Sequence, residues 1–173
     1  IISEGVEEIG NIADYHCLRL FKINIPLSVK EIGGSAFSGC QSLISIDLPH
    51  GITEIRKGCF AECEALKKIT IPPTVKKIGK WAFMHCYSLE EITIPEGVEE
   101  IDDEVFIKCG DLRSVTLPKS VRSIWFIDFK IHKPKTIFDG CENLTVTVPA
   151  ESYAEEYCKE NNIPYIIMEE END

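Results

Sequence analysis

Val75-Lys76-Lys77-Ile78-Gly79-Lys80-Trp81-Ala82-Phe83-Met84-His85-Cys86-Tyr87-Ser88-Leu89-Glu90-Glu91-Ile92-Thr93-Ile94-Pro95 decides the fold, because the chain repeats it. Its closing run, Leu89 to Pro95, returns as Leu43 to Pro49, Leu66 to Pro72 and Leu112 to Pro118. Pro26, Pro49, Pro72, Pro95 and Pro118 stand 23 residues apart, and so do Cys17, Cys40, Cys63, Cys86 and Cys109. A fixed period of this length marks a solenoid. One unit cannot bury its own apolar face, and stacked neighbours bury a continuous core.

Within the unit, Leu89, Ile92 and Ile94 have strand spacing, with Ile92 and Ile94 facing in and Glu91 and Thr93 facing out. Pro95 lacks an N–H and ends the ladder. Val98 and Ile101 frame a second short extended segment. Gly79, like Gly33, marks the turn that follows. Ala82, Phe83 and Cys86 have the spacing of a single helical turn with its apolar side inward. One rung is therefore strand, extended segment, helical turn and back to strand, an α/β solenoid. Phe37, Phe60, Phe83 and Phe106 form a column inside it, which Phe138 continues.

Two features of the ends depart from the period. In the first unit Asp14 takes the Phe slot. In the last, nine extra residues lie between Val121 and Cys141, and one is missing before Pro149. Phe129 and Phe138 compete for the Phe slot there. The expected organisation is a solenoid of about six rungs over 1–149, with an insertion near 125–137. A cap follows over 150–168, a helix from Ser152 to Asn161 and then a strand from Ile163 to Met168. Such a cap covers an edge that would otherwise pair with another chain. Residues 169–173 form an acidic tail.

Composition narrows the function. The 173 residues carry a net charge of −11, which argues against a general nucleic-acid binder that needs a basic face. No 18-residue apolar run exists, so no membrane insertion is expected. Ile2-Ser3 sits where later units read Ile-Pro, so residue 1 reads as a boundary beyond which earlier residues were removed, a secretion signal among them. Six of the eight cysteines fill one slot of the repeat. Stacked at the strand spacing of about 5 Å, their side chains run parallel rather than toward each other, which favours buried, reduced thiols over disulfides. Cys59 fills a slot held elsewhere by Ala36 and Ala82 and reads as a small buried hydrophobe.

The pattern Leu-x-x-Ile-x-Ile-Pro-x-x-Val-x-x-Ile-Gly-x-x-Ala-Phe-x-x-Cys resembles the BspA-like class of bacterial leucine-rich repeats. The resemblance covers residues 1 to about 149, and Val148 to Ala154 is similar to a terminal cap common in that class. It implies a right-handed leucine-rich-repeat superhelix with a parallel sheet along one face. It also implies a secreted or surface-attached protein of a host-associated bacterium or protist, engaged in adhesion. The class supplies no catalytic motif to carry over.

Two surfaces are candidates for binding. The first is the outward strand face, where Asn24, Asp47, Thr70, Thr93 and Thr116 stack, with Thr147 beyond them. Beside them stand Lys22, Ser45, Lys68, Glu91, Ser114 and Thr145. The face is polar and hydroxyl-rich, although Thr also simply suits an exposed strand. The second is the insertion, with Trp125, Phe126, Lys130, His132 and Lys133. It is aromatic and locally basic in an acidic chain. Exposed aromatics there would mark an anchor, and buried ones a lid over the last rung. Lys76-Lys77 beside Glu99-Glu100 reads as inter-rung ion pairing on a solvated face. His16-Cys17 and His85-Cys86 lie three rungs apart, about 15 Å at the strand spacing, too far for one zinc ion. No metal, cofactor or catalytic residue is expected. The expected function is non-enzymatic recognition of a protein or glycan by a secreted or surface-displayed monomer. The alternative is an intracellular protein-interaction scaffold.

Overall fold

The computed structural model describes residues 2–125 and 136–169 as a parallel β-solenoid. Twelve short strands and one helix follow in chain order: β1 Glu8–Ile9, β2 Glu31–Ile32, β3 Ser45–Asp47, β4 Glu54–Ile55, β5 Lys68–Thr70 and β6 Lys77–Ile78. Then come β7 Glu91–Thr93, β8 Glu100–Ile101, β9 Ser114–Thr116, β10 Ser123–Ile124, β11 Thr145–Val148, α1 Tyr153–Glu160 and β12 Tyr165–Ile167. Every pairing is parallel and advances one rung: Asp47 faces Thr70, Lys77 faces Glu100 and Thr93 faces Thr116. Two ladders run side by side, one from the Leu-x-x-Ile-x-Ile-Pro segment and one from the Val-x-x-Ile segment. Lys22, bridging to Ser45, extends the first toward the N-terminus.

The inward alternation is as the sequence indicates. Ile92 and Ile94 are buried, and Glu91 and Thr93 between and beside them are exposed. Phe37, Phe60, Phe83 and Phe106 stack nearly parallel with centroids 5.5 to 5.7 Å apart. Phe138 follows on Phe106 at 5.6 Å, so it and not Phe129 holds the slot. All eight cysteines are free. Beyond Cys17, each thiol of the column donates to the carbonyl of the Phe-slot residue one rung earlier, as Cys63 to Phe37, Cys86 to Phe60 and Cys109 to Phe83, at 3.1 to 3.2 Å. The slot thus takes a small apolar group that can still satisfy one buried carbonyl.

The third side of each rung differs from the sequence expectation. Ala82 to Cys86 is not a helical turn but a run of tight turns. The N–H groups of Ala82, Met84 and Cys86 bond back three residues, to Gly79, Trp81 and Phe83. The alternate N–H groups, of Trp81, Phe83 and His85, donate to Asp103, Val105 and Ile107 of the next rung. A helix needs every amide for its own i−4 carbonyl, and here every second one holds the neighbour instead. Left-handed residues make this possible, at Trp81 (φ 62°) and His85 (φ 60°), and at Ser35 and Glu62 in their own rungs. Gly79 has another reason to be glycine. A Cβ there would lie 2.8 Å from the Lys57 nitrogen of the preceding rung.

α1 begins at Ser152, whose hydroxyl accepts the Glu155 N–H, while the Glu155 carboxylate accepts the Glu151 N–H. Ala154, Tyr157 and Cys158 face the last rung, and the Tyr153 and Tyr157 hydroxyls accept from Ile124 N and Ile137 N. β12 then pairs with β11.

Candidate functional site

The strand face assembles as the sequence spacing requires. Parallel registry places Asp47, Thr70, Thr93, Thr116 and Thr147 in one outward column, with Asn24 at its N-terminal end. Lys22, Ser45, Lys68, Glu91, Ser114 and Thr145 make the second. Their side chains are exposed or half-buried, because alternate residues of each strand supply the core.

The face is not uniform. Strands β3 and β5 form one hydrogen-bonded pair, and β7, β9, β11 and β12 another sheet. Elsewhere Lys67 N–H bonds Ile44 and Leu48 N–H bonds Thr70. Among the described residues the equivalent bonds, from Glu90 to Lys67 and from Ile71 to Thr93, are not formed. At this seam lies a shallow groove rimmed by Lys68, Thr70, Glu91, Thr93 and Thr116. It offers an ammonium, a carboxylate and three hydroxyls, with main-chain groups at its floor. Such a surface can hydrogen-bond a polar partner, but it has no aromatic platform for stacking.

Of the second candidate surface, Trp125 alone is described, and it is 59% exposed. Phe126, Lys130, His132 and Lys133 lie outside the described residues. Trp125 N–H still donates to Ile101, as Asp102 N–H does to Ile78 one rung earlier. Phe106 N–H donates to Ile137, as Phe83 N–H does to Val105. The nine extra residues therefore fall between Trp125 and Thr136, and both columns resume without a shift.

The Val-x-x-Ile face carries the charge ladder that the sequence indicates. Lys77 reaches Glu100 at 3.4 Å and Asp102 at 3.2 Å, and Arg122 pairs with Glu99. Lys30 pairs with Glu7 and Arg56 with Glu31. A cluster that spacing did not reveal sits on the third side. The Lys57 and Lys80 ammonium groups each lie 4.7 Å from the Trp81 ring centroid, and the indole N–H donates to Glu104. Lys80 also pairs with Asp103 at 2.5 Å. A bulky Trp in a slot held by Ser35 and Gly58 was the one sequence signal for it.

The interior is chemically quiet. Burial pushes the Cys40 thiol up to about 11 and the Cys86 thiol up to about 12, so both are neutral near pH 7. No group of three or more His, Cys, Asp or Glu side chains converges among the described residues. Among them, too, no buried side-chain nitrogen or oxygen lacks a partner, and no helix is long and apolar enough to cross a membrane.

A profile of the BspA type leucine rich repeat region matches six copies across residues 7–145. The chain belongs to this BspA-type leucine-rich repeat family. Its repeats superpose on a solved leucine-rich repeat protein of T. pallidum with a TM-score of 0.73 and 36% identity, over 84% of this chain and 64% of that one. A leucine-rich repeat protein of Bacteroides ovatus shares the fold at 22% identity and a TM-score of 0.58, over 97% of this chain and 53% of that one. A leucine rich cell surface protein of Faecalibacterium prausnitzii does so at 21% and 0.55, over 90% and 54%. This BspA-type chain thus spans less than two thirds of each of these proteins. Nothing among curated proteins matches it.

Proposed function

We propose that this BspA-type repeat chain is a non-enzymatic binding module, secreted or displayed at the cell surface, that recognises a protein or glycan partner on its outward strand face. The groove at the β5–β7 seam carries the reading. It brings together Lys68, Glu91 and the Thr70, Thr93 and Thr116 hydroxyls where, among the described residues, β5 and β7 are not paired. Binding energy there comes from hydrogen bonds to a polar partner, and the buried columns below keep the donors and acceptors fixed. Surface location is supported by the family and by the cell surface protein of similar fold. Trp125, at the start of the insertion, is a second contact for a large partner, since an exposed Trp suits an interface anchor. The alternative of an intracellular scaffold rests on the free thiols, which suit a reducing compartment.

The test is a binding screen of the 173-residue chain against arrayed extracellular proteins and glycans, repeated with Thr93→Arg and Trp125→Ser. Thr93→Arg is expected to remove the principal hits by filling the groove, with the melting temperature unchanged because Thr93 is exposed. Hits that survive Thr93→Arg but are lost with Trp125→Ser would move the site to the loop. Hits indifferent to both would end this reading.

A further inference from the structure

Among the described residues β12 is the last strand of the sheet that carries the hydroxyl column, and no strand pairs with its outer edge. The sequence expectation was a cap that covers the last edge and leaves a monomer. α1 does pack on the last rung, but β12 adds a new edge of its own. Its pairing with β11 uses the Pro164 carbonyl, which accepts Val146 N–H, and the Met168 N–H, which donates to Val148. By the alternation of a parallel ladder, the Ile166 main chain points the same way. The N–H and C=O of Tyr165 and Ile167 therefore point outward. The side chains along this edge are apolar. Ile166 is 56% exposed on the face of the Thr column, opposite Thr147. Ile167 continues the core column of Leu48, Ile71, Ile94, Leu117 and Val148, all nearly fully buried, yet is itself 43% exposed.

We propose that this edge is a self-association surface, on which β12 pairs antiparallel with β12 of a second copy about a two-fold axis at Ile166. The geometry is self-complementary in three ways. With Tyr165 opposite Ile167 of the other copy, the two residues form a hydrogen-bonded antiparallel pair, and symmetry repeats it. All four outward N–H and C=O groups of each edge are then satisfied. Residues opposite each other share a face, so each exposed Ile167 is covered by the other copy's Tyr165, and the two Ile166 side chains meet at the axis. Charge also selects this arrangement over a parallel one. The chain runs on from Met168 as Glu169-Glu170-Glu171-Asn172-Asp173. Antiparallel pairing sets the two Glu169 residues six positions apart, about 20 Å at the rise of a strand, beyond the screening length of about 8 Å in physiological salt. A parallel pair in register would bring the two Glu169 residues side by side. An exposed apolar strand edge invites such pairing, and two-fold closure ends it at a dimer rather than a fibre.

Sedimentation equilibrium of the full chain from about 10 µM to 1 mM tests this, a range suited to a contact of one short strand. The wild type is expected to exchange between monomer and dimer. Ile166→Lys and Ile166→Asp are each expected to be monomeric throughout, with melting temperatures unchanged. Mixed in equal amounts, the two variants are expected to associate, because their opposite charges meet at the axis. If residue 166 proves to support the monomer, Ile167→Pro replaces it, since that change removes the outward N–H and the exposed Ile167 side chain from the edge and takes no N–H from the β11 pairing. A wild type that stays monomeric at 1 mM overturns the proposal. So does association that survives Ile166→Lys, a mixture that fails to pair, or growth past the dimer by head-to-tail stacking.

Discussion

Phe83 shows how much one side chain holds in this architecture. Its ring lies between Phe60 and Phe106, at 5.7 and 5.5 Å, so Phe83→Ala opens a void between two rungs at once. The expected cost is about 3–5 kcal/mol, read from urea unfolding monitored by circular dichroism. The cysteine column makes a second expectation, in pH. An unfolded thiol ionises near 9.0, whereas burial holds Cys86 neutral up to about 12 and Cys40 up to about 11. The folded state therefore keeps protons that the unfolded state releases. That part of the stability is whole below pH 9 and falls as pH rises toward 12. Midpoints of urea unfolding measured from pH 8 to 11 are expected to decline. Native alkylation of Cys86 by iodoacetamide at pH 8 is expected to lag far behind that of a free thiol. The inward columns were legible in the sequence because one period fixes both their spacing and their facing. The left-handed residues Trp81, His85, Ser35 and Glu62 were not. Trp, Ser and Glu do not favour positive φ, and inter-rung hydrogen bonds hold these positions in it.

At the scale of elements, the extended segments read correctly and the third side did not. Ala82, Phe83 and Cys86 have helical spacing, but spacing alone cannot tell whether an amide serves its own chain or the next rung. The helix α1 was legible because it lies beyond the repeat, where Ser152 and Glu155 supply their own start signal. Ser152→Ala is expected to cost about 1 kcal/mol through loss of the cap. Hydrogen exchange should localise the loss, with faster exchange in α1 and β12 and unchanged rates in β3 to β9. The groove at the β5–β7 seam shows the same limit. Its residue columns follow from the period, whereas the lapse of the ladder between β5 and β7 is set by rung-to-rung geometry that no single unit encodes.

At the scale of the whole molecule, contacts reach only from one rung to the next, so stability should add up by rungs and interfaces. Deleting residues 73–95, one full period, is expected to leave a folded chain with the same circular dichroism shape and a modestly lower melting temperature. Collapse of the fold would mean coupling at longer range. The charge ladder of Lys77, Glu100, Arg122 and Glu99 is exposed, so 1 M salt is expected to change the melting temperature little. The end of the array was the least legible part. Ile166, Ile167 and Met168 read like any other strand in the sequence, yet all three are exposed among the described residues. The register on either side of the insertion has a further consequence. Trp125 and Ile137 hold the places in one rung that Asp102 and Val105 hold in the rung before, and nine additional residues pass between them without disturbing either layer. Foreign peptides of varied length could be grafted there, turning the scaffold into a display platform whose cargo is exchanged while its body stays the same.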